Sequence, residues 1–344
     1  MRKLIILIIL AITLAGFPVP TRAQTPQAMH VAPAPLYRDP VYDGAADPVM
    51  VWNRAEHAWW MLYTQRRANV DAPGVAFCYG TAIGVASSDD HGKTWVYRGK
   101  LDLDFEAGMN TFWAPDVVYR DGTYHLFCAY IRGVRSQWGG AARVVHYTSG
   151  DLWHWKFEGF LTLSSDHVID PALFKKPDGD WGMWYKDEDR GTDIMEATSR
   201  DLFHWKTSAT PAITGRQEGP VVFRFGSYYW MLTDEWAGMR VYRSADLEHW
   251  TRQGRILSGP SARREDRPSG AHGDVVVQGD RAYIFYFTHP GRKTHTEAPA
   301  DTAGVIPYNL RRSSIQVAPL QIVNGTLVSD RDDPFDFWLS APVP

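Results

Sequence analysis

One pattern returns five times along this chain, and it constrains the fold more than any other feature. Asp47-Pro48-Val49-Met50-Val51, Ala114-Pro115-Asp116-Val117-Val118, Asp170-Pro171-Ala172-Leu173-Phe174, Glu218-Gly219-Pro220-Val221-Val222 and His272-Gly273-Asp274-Val275-Val276 share one plan. A special first residue is followed by Gly or Pro within two positions and then by an apolar run. A turn and a second, aromatic-rich run come next, at 59–63, 124–130, 181–185, 228–232 and 283–287. The first positions stand 67, 56, 48 and 54 residues apart, roughly the length of one propeller blade.

A second repeat sits within the first. Ser149-Gly150-Asp151-Leu152-Trp153-His154-Trp155, Ser199-Arg200-Asp201-Leu202-Phe203-His204-Trp205 and Ser244-Ala245-Asp246-Leu247-Glu248-His249-Trp250 follow the pattern Ser-x-Asp-Leu-x-x-Trp, and 88–95 is a variant with one extra residue. Ser and Asp suit a turn closed by side-chain-to-backbone hydrogen bonds, and the Trp supplies a large face to pack between blades. Each unit therefore reads strand, turn, strand, strand, Ser-x-Asp turn, strand. Five units predict an all-β chain, a five-bladed β-propeller. The segment 36–41 is expected to add a strand that closes the ring, and 313–317 and 326–328 to supply the last strands of the fifth unit.

Residues 1–23 stand outside the repeat. Arg2-Lys3, an apolar stretch over 4–17 and Thr21-Arg22-Ala23 read as a secretory signal peptide, too short for a membrane span. The expectation is a secreted or periplasmic protein whose residues 24–344 form a single propeller domain. A propeller grows by adding blades rather than thickening one core, so a chain of this length poses no difficulty. A formal net charge of −3 with no large basic cluster argues against nucleic acid and against anionic membranes as partners. Cys78 and Cys128 are too few for a disulfide framework and are expected to be free, buried thiols.

First strands of a propeller line the central channel, so equivalent positions in different blades face one another across the axis. Asp47, Ala114, Asp170, Glu218 and His272 occupy those positions, which brings three carboxylates and an imidazole to one depth. An Asp before Pro at a strand start is ordinary turn chemistry. Acids in three of five repeats, each next to apolar residues, are not explained that way, because clustered carboxylates cost free energy unless function requires them. Two carboxylates working as acid and base are the apparatus of glycoside hydrolysis, and a third can tune and hold the acid. Gly219-Pro220 and the apolar run after it make Glu218 the drier group, hence the expected proton donor.

Asp47-Pro48, Ile169-Asp170-Pro171, Glu218-Gly219-Pro220 and Trp113-Ala114-Pro115-Asp116 resemble the blade motifs of glycoside hydrolase family 43 and its relatives, five-bladed propellers acting on plant and algal polysaccharides. The resemblance runs from about Asp43 to Asp330. It implies that Asp47 is the general base, Asp170 the pKa modulator and orienter, and Glu218 the general acid. It also implies that His272 faces a hydrated axial ion, often calcium, through water; the chemistry asks for no other cofactor. Trp113 and Asp116 are expected at the substrate, Trp113 as a stacking face. Arg190 and Glu235, at matching places after the second strands of the third and fourth blades, are candidates to reach a sugar hydroxyl, set against surface charge clusters. The histidines His154, His204 and His249 are expected to be structural.

Other readings share these residues. Family 117, which cleaves 3,6-anhydro-L-galactose from agar oligosaccharides, uses a histidine shortly before the Glu, and 207–217 contains none. A sialidase would fit the variant box at 88–95, but it needs an arginine triad and a tyrosine nucleophile, and the box alone is a folding motif. A carbohydrate-binding propeller without catalysis has no need of a general acid. Long loops at 65–79, 131–142 and 293–307 point to a closed, exo-type pocket.

Overall fold

The computed structural model describes residues 29–342; the expected signal peptide, 1–23, lies outside the described residues. Five four-stranded antiparallel sheets follow one another along the chain, each with its strands in sequence order. Blade 1 holds β1 (Ala45–Asn53), β2 (Ala58–Gln65), β3 (Ala82–Ser88) and β4 (Val96–Lys100). Blade 2 holds β5 (Thr111–Arg120), β6 (Thr123–Ile131), β7 (Arg143–Ser149) and β8 (Lys156–Phe160). Blade 3 holds β9 (Val168–Lys175), β10 (Trp181–Asp187), β11 (Asp193–Ser199) and β12 (Lys206–Thr207). Blade 4 holds β13 (Glu218–Phe225), β14 (Tyr228–Asp234), β15 (Met239–Ser244) and β16 (Thr251–Ile256), and blade 5 holds β17 (Ala271–Gln278), β18 (Arg281–Thr288), β19 (Ser314–Val323) and β20 (Thr326–Val328). Every first strand touches the first strands of both neighbouring blades, β1 touching β5 on one side and β17 on the other. That closed ring is the five-bladed propeller the repeats predict.

Sequence character follows position within a blade. The second strands are sandwiched by neighbouring blades on both faces, and β2 and β10 are buried along their whole length. This is why they read as continuous aromatic and apolar runs. The outer strand β4 alternates exposed and half-buried residues, as a sheet edge facing water should. At the third turn of blade 3, Ser199 Oγ accepts from the N–H groups of Asp201 and Leu202, and Asp201 Oδ1 accepts from those of Phe203 and His204. His204 Nδ1 closes the turn 2.7 Å from Asp201 Oδ2. His154 and His249 do the same at 2.7 and 2.9 Å, so all three are structural as expected. The turn drives a leucine into the left-handed region (φ 67°, 71° and 69° at Leu152, Leu202 and Leu247), where its side chain is fully buried. The following Trp seals the seam to the preceding blade: Trp205 lies edge-on to Phe127 at 5.8 Å and Trp250 to Trp184 at 6.3 Å.

Blade 1 carries the variant turn, with Gly92 (φ 86°) where the others have leucine. A Cβ there would stand 2.9 Å from Leu339 and 3.0 Å from Phe337, so the glycine makes room for the C-terminal segment. That segment takes part in closing the ring. Leu339 N–H donates to His91 O, Phe337 N–H to His30 O, and Leu36 N–H to Ile315 O. The stretch 36–41 forms no strand: Tyr37 makes a single bridge to Ile315. Each blade already owns four strands, so the two terminal segments pack as a clasp over blades 1 and 5, with Leu36, Tyr37, Phe337 and Leu339 in one apolar cluster. Cys78 and Cys128 are free and buried. Among the described residues no helix is long and apolar enough to cross a membrane.

Candidate active site

Near its start, each first strand carries an irregularity in its pairing with the second strand. Register shifts fall between Ala46 and Val49, Trp113 and Asp116, Glu218 and Val221, and Ala271 and Gly273, and in blade 3 opposite Trp184 and Lys186. At this bulge Asp47, Ala114, Asp170 and Gly219 adopt left-handed backbone (φ 49°, 43°, 59° and 55°). A non-glycine residue held there costs about 1–3 kcal/mol, and such strain concentrates at functional sites. The bulges turn successive side chains into a pocket of about 420 Å³ at one mouth of the channel.

The alignment of Glu218 with Asp47 and Asp170 needs correcting by one residue. In blade 4 the left-handed position belongs to Gly219, and Glu218 pairs with Asp234 one step earlier, as Ala46 pairs with Thr64 and Trp113 with Ala129. The cause is steric: a Cβ on Gly219 would sit 2.5 Å from the His272 ring of the next blade. Only glycine fits, so the acid of this blade stands on the residue before. The pocket therefore draws Trp113, Ile169 and Glu218 from the position before the bulge, and Asp47, Asp170 and His272 from the bulge itself.

Asp47 is 7 % exposed. Arg66 Nη2 reaches its two oxygens at 3.4 and 3.3 Å, and His272 Nδ1 lies 3.7 Å from Oδ1. Asp170 Oδ2 accepts from Gly219 N–H at 3.0 Å. Burial pushes Asp170 up to about 6, the negative charges of Glu218 and Asp47 adding to the rise while His272 and Lys186 oppose it. Glu218 Oε2 meets Lys186 Nζ at 2.9 Å, and its Oε1 accepts from Trp236 Nε1 at 2.8 Å. Burial alone would raise Glu218, but Lys186 and the Trp236 N–H outweigh it and hold this carboxyl below its ordinary range. The expectation that Glu218 is the drier group is overturned: its side chain is 26 % exposed while Asp170 is 6 % exposed, and the Lys186 cation bonds Glu218 rather than Asp170.

Three further candidates do not reach the pocket. Asp116 is turned away, accepting from Val117 N–H at 2.7 Å and from Leu173 N–H of blade 3 at 2.6 Å. Asp274, at the same frame position of blade 5, likewise accepts from Val275 N–H and from Met50 N–H of blade 1. These acids stitch first strand to first strand; burial pushes them up to about 7 and about 6 respectively. Arg190 is exposed, 3.6 Å from Asp187 and 3.4 Å from the Ala209 carbonyl. Glu235 is tied to Arg240, Arg252 and Arg255 on a separate concavity. Trp113 does line the pocket, its Nε1 donating to Cys78 O at 2.6 Å.

The residues that replace them are Arg66, Lys186, Glu188 and Trp236. All stand at or just past the end of a second strand, and Lys186 is the cross-strand partner of Ile169 beside the bulge. The signal was present: the polar ends of the second strands, Gln65-Arg66, Lys186-Asp187 and Asp234-Glu235-Trp236, match one another. Arg190 lies too far along its loop, and Glu235 one residue too early. The loops 65–79, 131–142 and 293–307 contribute Phe77, Trp138 and His295 to the walls, as their length foretold.

Direct ligation of a metal does not fit here. The described residues hold no group of three or more His, Cys, Asp or Glu side chains placed around one point. Of the acids near His272, Asp47 faces the Arg66 guanidinium and Asp234 spends its oxygens on the backbone N–H groups of Trp236 and His272.

No protein-family model matches the chain. Among curated proteins, the probable arabinan endo-1,5-alpha-L-arabinosidase A of Aspergillus fumigatus is 26 % identical over 180 residues, 48 % of this chain and 54 % of that protein. The corresponding enzyme C of Aspergillus clavatus is 41 % identical over 58 residues, 15 % and 17 % of the two chains. The chain thus spans about half the length, or less, of the curated relatives it matches. Solved structures align over nearly the whole fold. A thermostable family-43 glycoside hydrolase has a TM-score of 0.63 at 16 % identity, covering 88 % of this chain and 99 % of that one. The GH43_1 enzyme of Xanthomonas citri complexed with xylotriose scores 0.61 at 16 % identity, covering 92 % and 97 %. In fold, the chain is a five-bladed β-propeller similar to those of the family-43 glycoside hydrolases.

Proposed function

We propose that this protein is a glycoside hydrolase that removes a terminal sugar from a plant or algal oligosaccharide with inversion, and that it works outside the cytoplasm. The observation that carries the reading is the meeting of Asp47, Asp170 and Glu218 in one walled pocket. Asp47 and Asp170 are buried, Glu218 is half-buried, and the three are differently partnered, as an acid, a base and an orienting group need to be. Asp47, against the Arg66 guanidinium, is the base that activates water. Glu218 is the acid that protonates the leaving oxygen. Asp170 pins Gly219 and so fixes the backbone that carries Glu218, and burial holds its own pKa up to about 6. Glu218 takes up from solvent the proton it then gives to the leaving oxygen, once Lys186 loosens its hold on Oε2.

The curated relatives named as arabinanases and the solved GH43 structures with xylo-oligosaccharides support a plant-polysaccharide substrate. The long-loop walls support an exo mode, and the sequence 1–23 supports export. A panel of aryl glycosides and plant and algal oligosaccharides tests the reading; release of a monosaccharide from at least one is expected. One observation favours a second reading. The Lys186–Glu218 ion pair leaves neither group free, as in a carbohydrate-binding propeller without catalysis. Binding without hydrolysis across the whole panel would select it.

A further inference from the structure

The wall of the pocket contributed by the loop after β18 is unlike the rest. Asp47 has Arg66, and Glu218 has Lys186, but Arg292 lines the pocket with no carboxylate partner. Its Nε donates to Leu310 O and its Nη1 to His295 O, both at 2.6 Å, so the guanidinium plane is pinned by two carbonyls and Nη2 is left over. His289 is 1 % exposed and gives Nδ1 to Arg312 O at 3.0 Å. His295, 8 % exposed, stands 5.4 Å from it between ring centroids, and its Nδ1 has no hydrogen-bond partner. On the adjoining side Arg66 sits over the Phe287 ring at 4.8 Å with its own Nε unpartnered.

Buried polar groups left without partners cost free energy, and native structures keep few of them without a reason. Here two sit together, His295 Nδ1 and Arg66 Nε, beside the Arg292 guanidinium. Burial and the Arg66 charge push Arg292 down to about 10, and burial with Arg292 and Arg66 pushes His295 down to about 3. A neutral sugar, whose hydroxyls both donate and accept, would be met by an equal mix of donors and acceptors. This wall instead offers a fixed guanidinium edge and two imidazoles in a water-poor corner, the arrangement that binds an anionic oxygen group most strongly.

We infer that the sugar held in this pocket carries an anionic substituent, a carboxylate or a sulfate ester, which Arg292 and His295 receive beside the carboxylates that act on its anomeric centre. The inference rests on the glycoside hydrolase reading for the second half of that statement only. Arg292 supplies the charge-assisted hydrogen bond. His295, held neutral by burial, presents its unpartnered Nδ1 beside it.

The test is calorimetric titration of the intact protein with D-galacturonate, D-glucuronate, galactose 6-sulfate, D-galactose and L-arabinose. At least one charged sugar is expected to bind roughly ten- to hundredfold more tightly than both neutral ones, the worth of one hydrogen bond to a charged group. Uronate in preference to sulfated sugar, or the reverse, identifies the substituent. Arg292→Gln is expected to erase the preference and Arg292→Lys to restore part of it; thermal melts of both show whether the fold has survived. Neutral sugars bound as tightly as charged ones by the wild type overturn the inference, as does a preference that survives Arg292→Gln in a folded protein. If Arg292→Gln does not fold, the wild-type preference and its reduction in Arg292→Lys decide. Hydrolysis of neutral aryl glycosides with no charged preference would leave the hydrolase reading standing and remove this one. Tight binding of a uronate with no hydrolysis of any substrate would do the opposite.

Discussion

Lys186 Nζ, at the end of β10 in blade 3, lies 2.9 Å from Glu218 Oε2 at the start of β13 in blade 4, and 3.2 Å from Glu188 Oε1. The ion pair crosses the seam between two sheets and joins the two carboxyls of the proposed acid machinery, since Asp170 shares a strand pair with Lys186 and accepts from the residue after Glu218. An opposite charge this close lowers a carboxyl pKa by about 1–3 units. Replacing Lys186 with Met is therefore expected to raise the Glu218 pKa. An acid is active below its pKa, so the alkaline limb of the kcat/KM profile should move to higher pH by about one unit or more. A profile that keeps its alkaline limb while activity falls uniformly would mean that Lys186 serves only to hold the strand ends together.

Glu218→Gln keeps the shape of the side chain and removes the transferable proton. On a natural glycoside it should cost roughly a hundred- to ten-thousandfold, and much less on an activated aryl glycoside whose leaving group hardly needs protonation. Asp47→Asn should be severe on both, because both still need an activated water. If the pattern runs the other way in steady-state kinetics, the roles of the two residues are exchanged.

Gly219→Ala tests why blade 4 carries its acid one residue early. A Cβ at that position would lie 2.5 Å from the His272 ring and require a φ of 55° from alanine. Destabilisation of about 1–3 kcal/mol is expected from the backbone alone. Loss of kcat in the fraction that remains folded should accompany it, because Glu218 and His272 both move. A melting temperature and rate equal to the wild type would show that the blades separate more freely than their packing implies.

The repeat made the architecture legible because it carries two independent signals, the first-strand bulge and the Ser-x-Asp turn, and both recur at blade length. The three carboxylates were legible for the same reason. What stayed hidden were interactions between blades. Nothing near Glu218 in the sequence announces Lys186, 32 residues away, and Asp116 looks like a site residue until its oxygens are seen to bind the backbone of β5 and β9. The ring closure was hidden too: 36–41 has the composition of a strand, yet the sheet beside it is already complete and leaves it one bridge.

The stitching acids give a pH signature. Asp116, pushed up to about 7 by burial and then by the charge of Asp274, is protonated in the folded chain and ionised in the unfolded chain between its ordinary pKa and about 7. A group raised on folding favours the fold at low pH, and its contribution fades as pH rises through the folded value. Asp116→Asn keeps an acceptor for one backbone N–H and removes the titration. Relative to the wild type, its melting temperature should therefore improve steadily from about pH 4 to pH 7. The difference between the two proteins is the readout, because buried histidines such as His146 slope the other way. A constant offset across that range would show that Asp116 is ionised in the fold.

Proton NMR of the first sugar released from a cleaved substrate addresses the central assignment most directly. With Asp47 activating a water on the face opposite Glu218, the new reducing end should appear first in the anomeric configuration opposite to that of the substrate, and only later mutarotate. Its first appearance with the configuration retained would require a covalent glycosyl intermediate, and would contradict the role of Asp47 as the base that activates water.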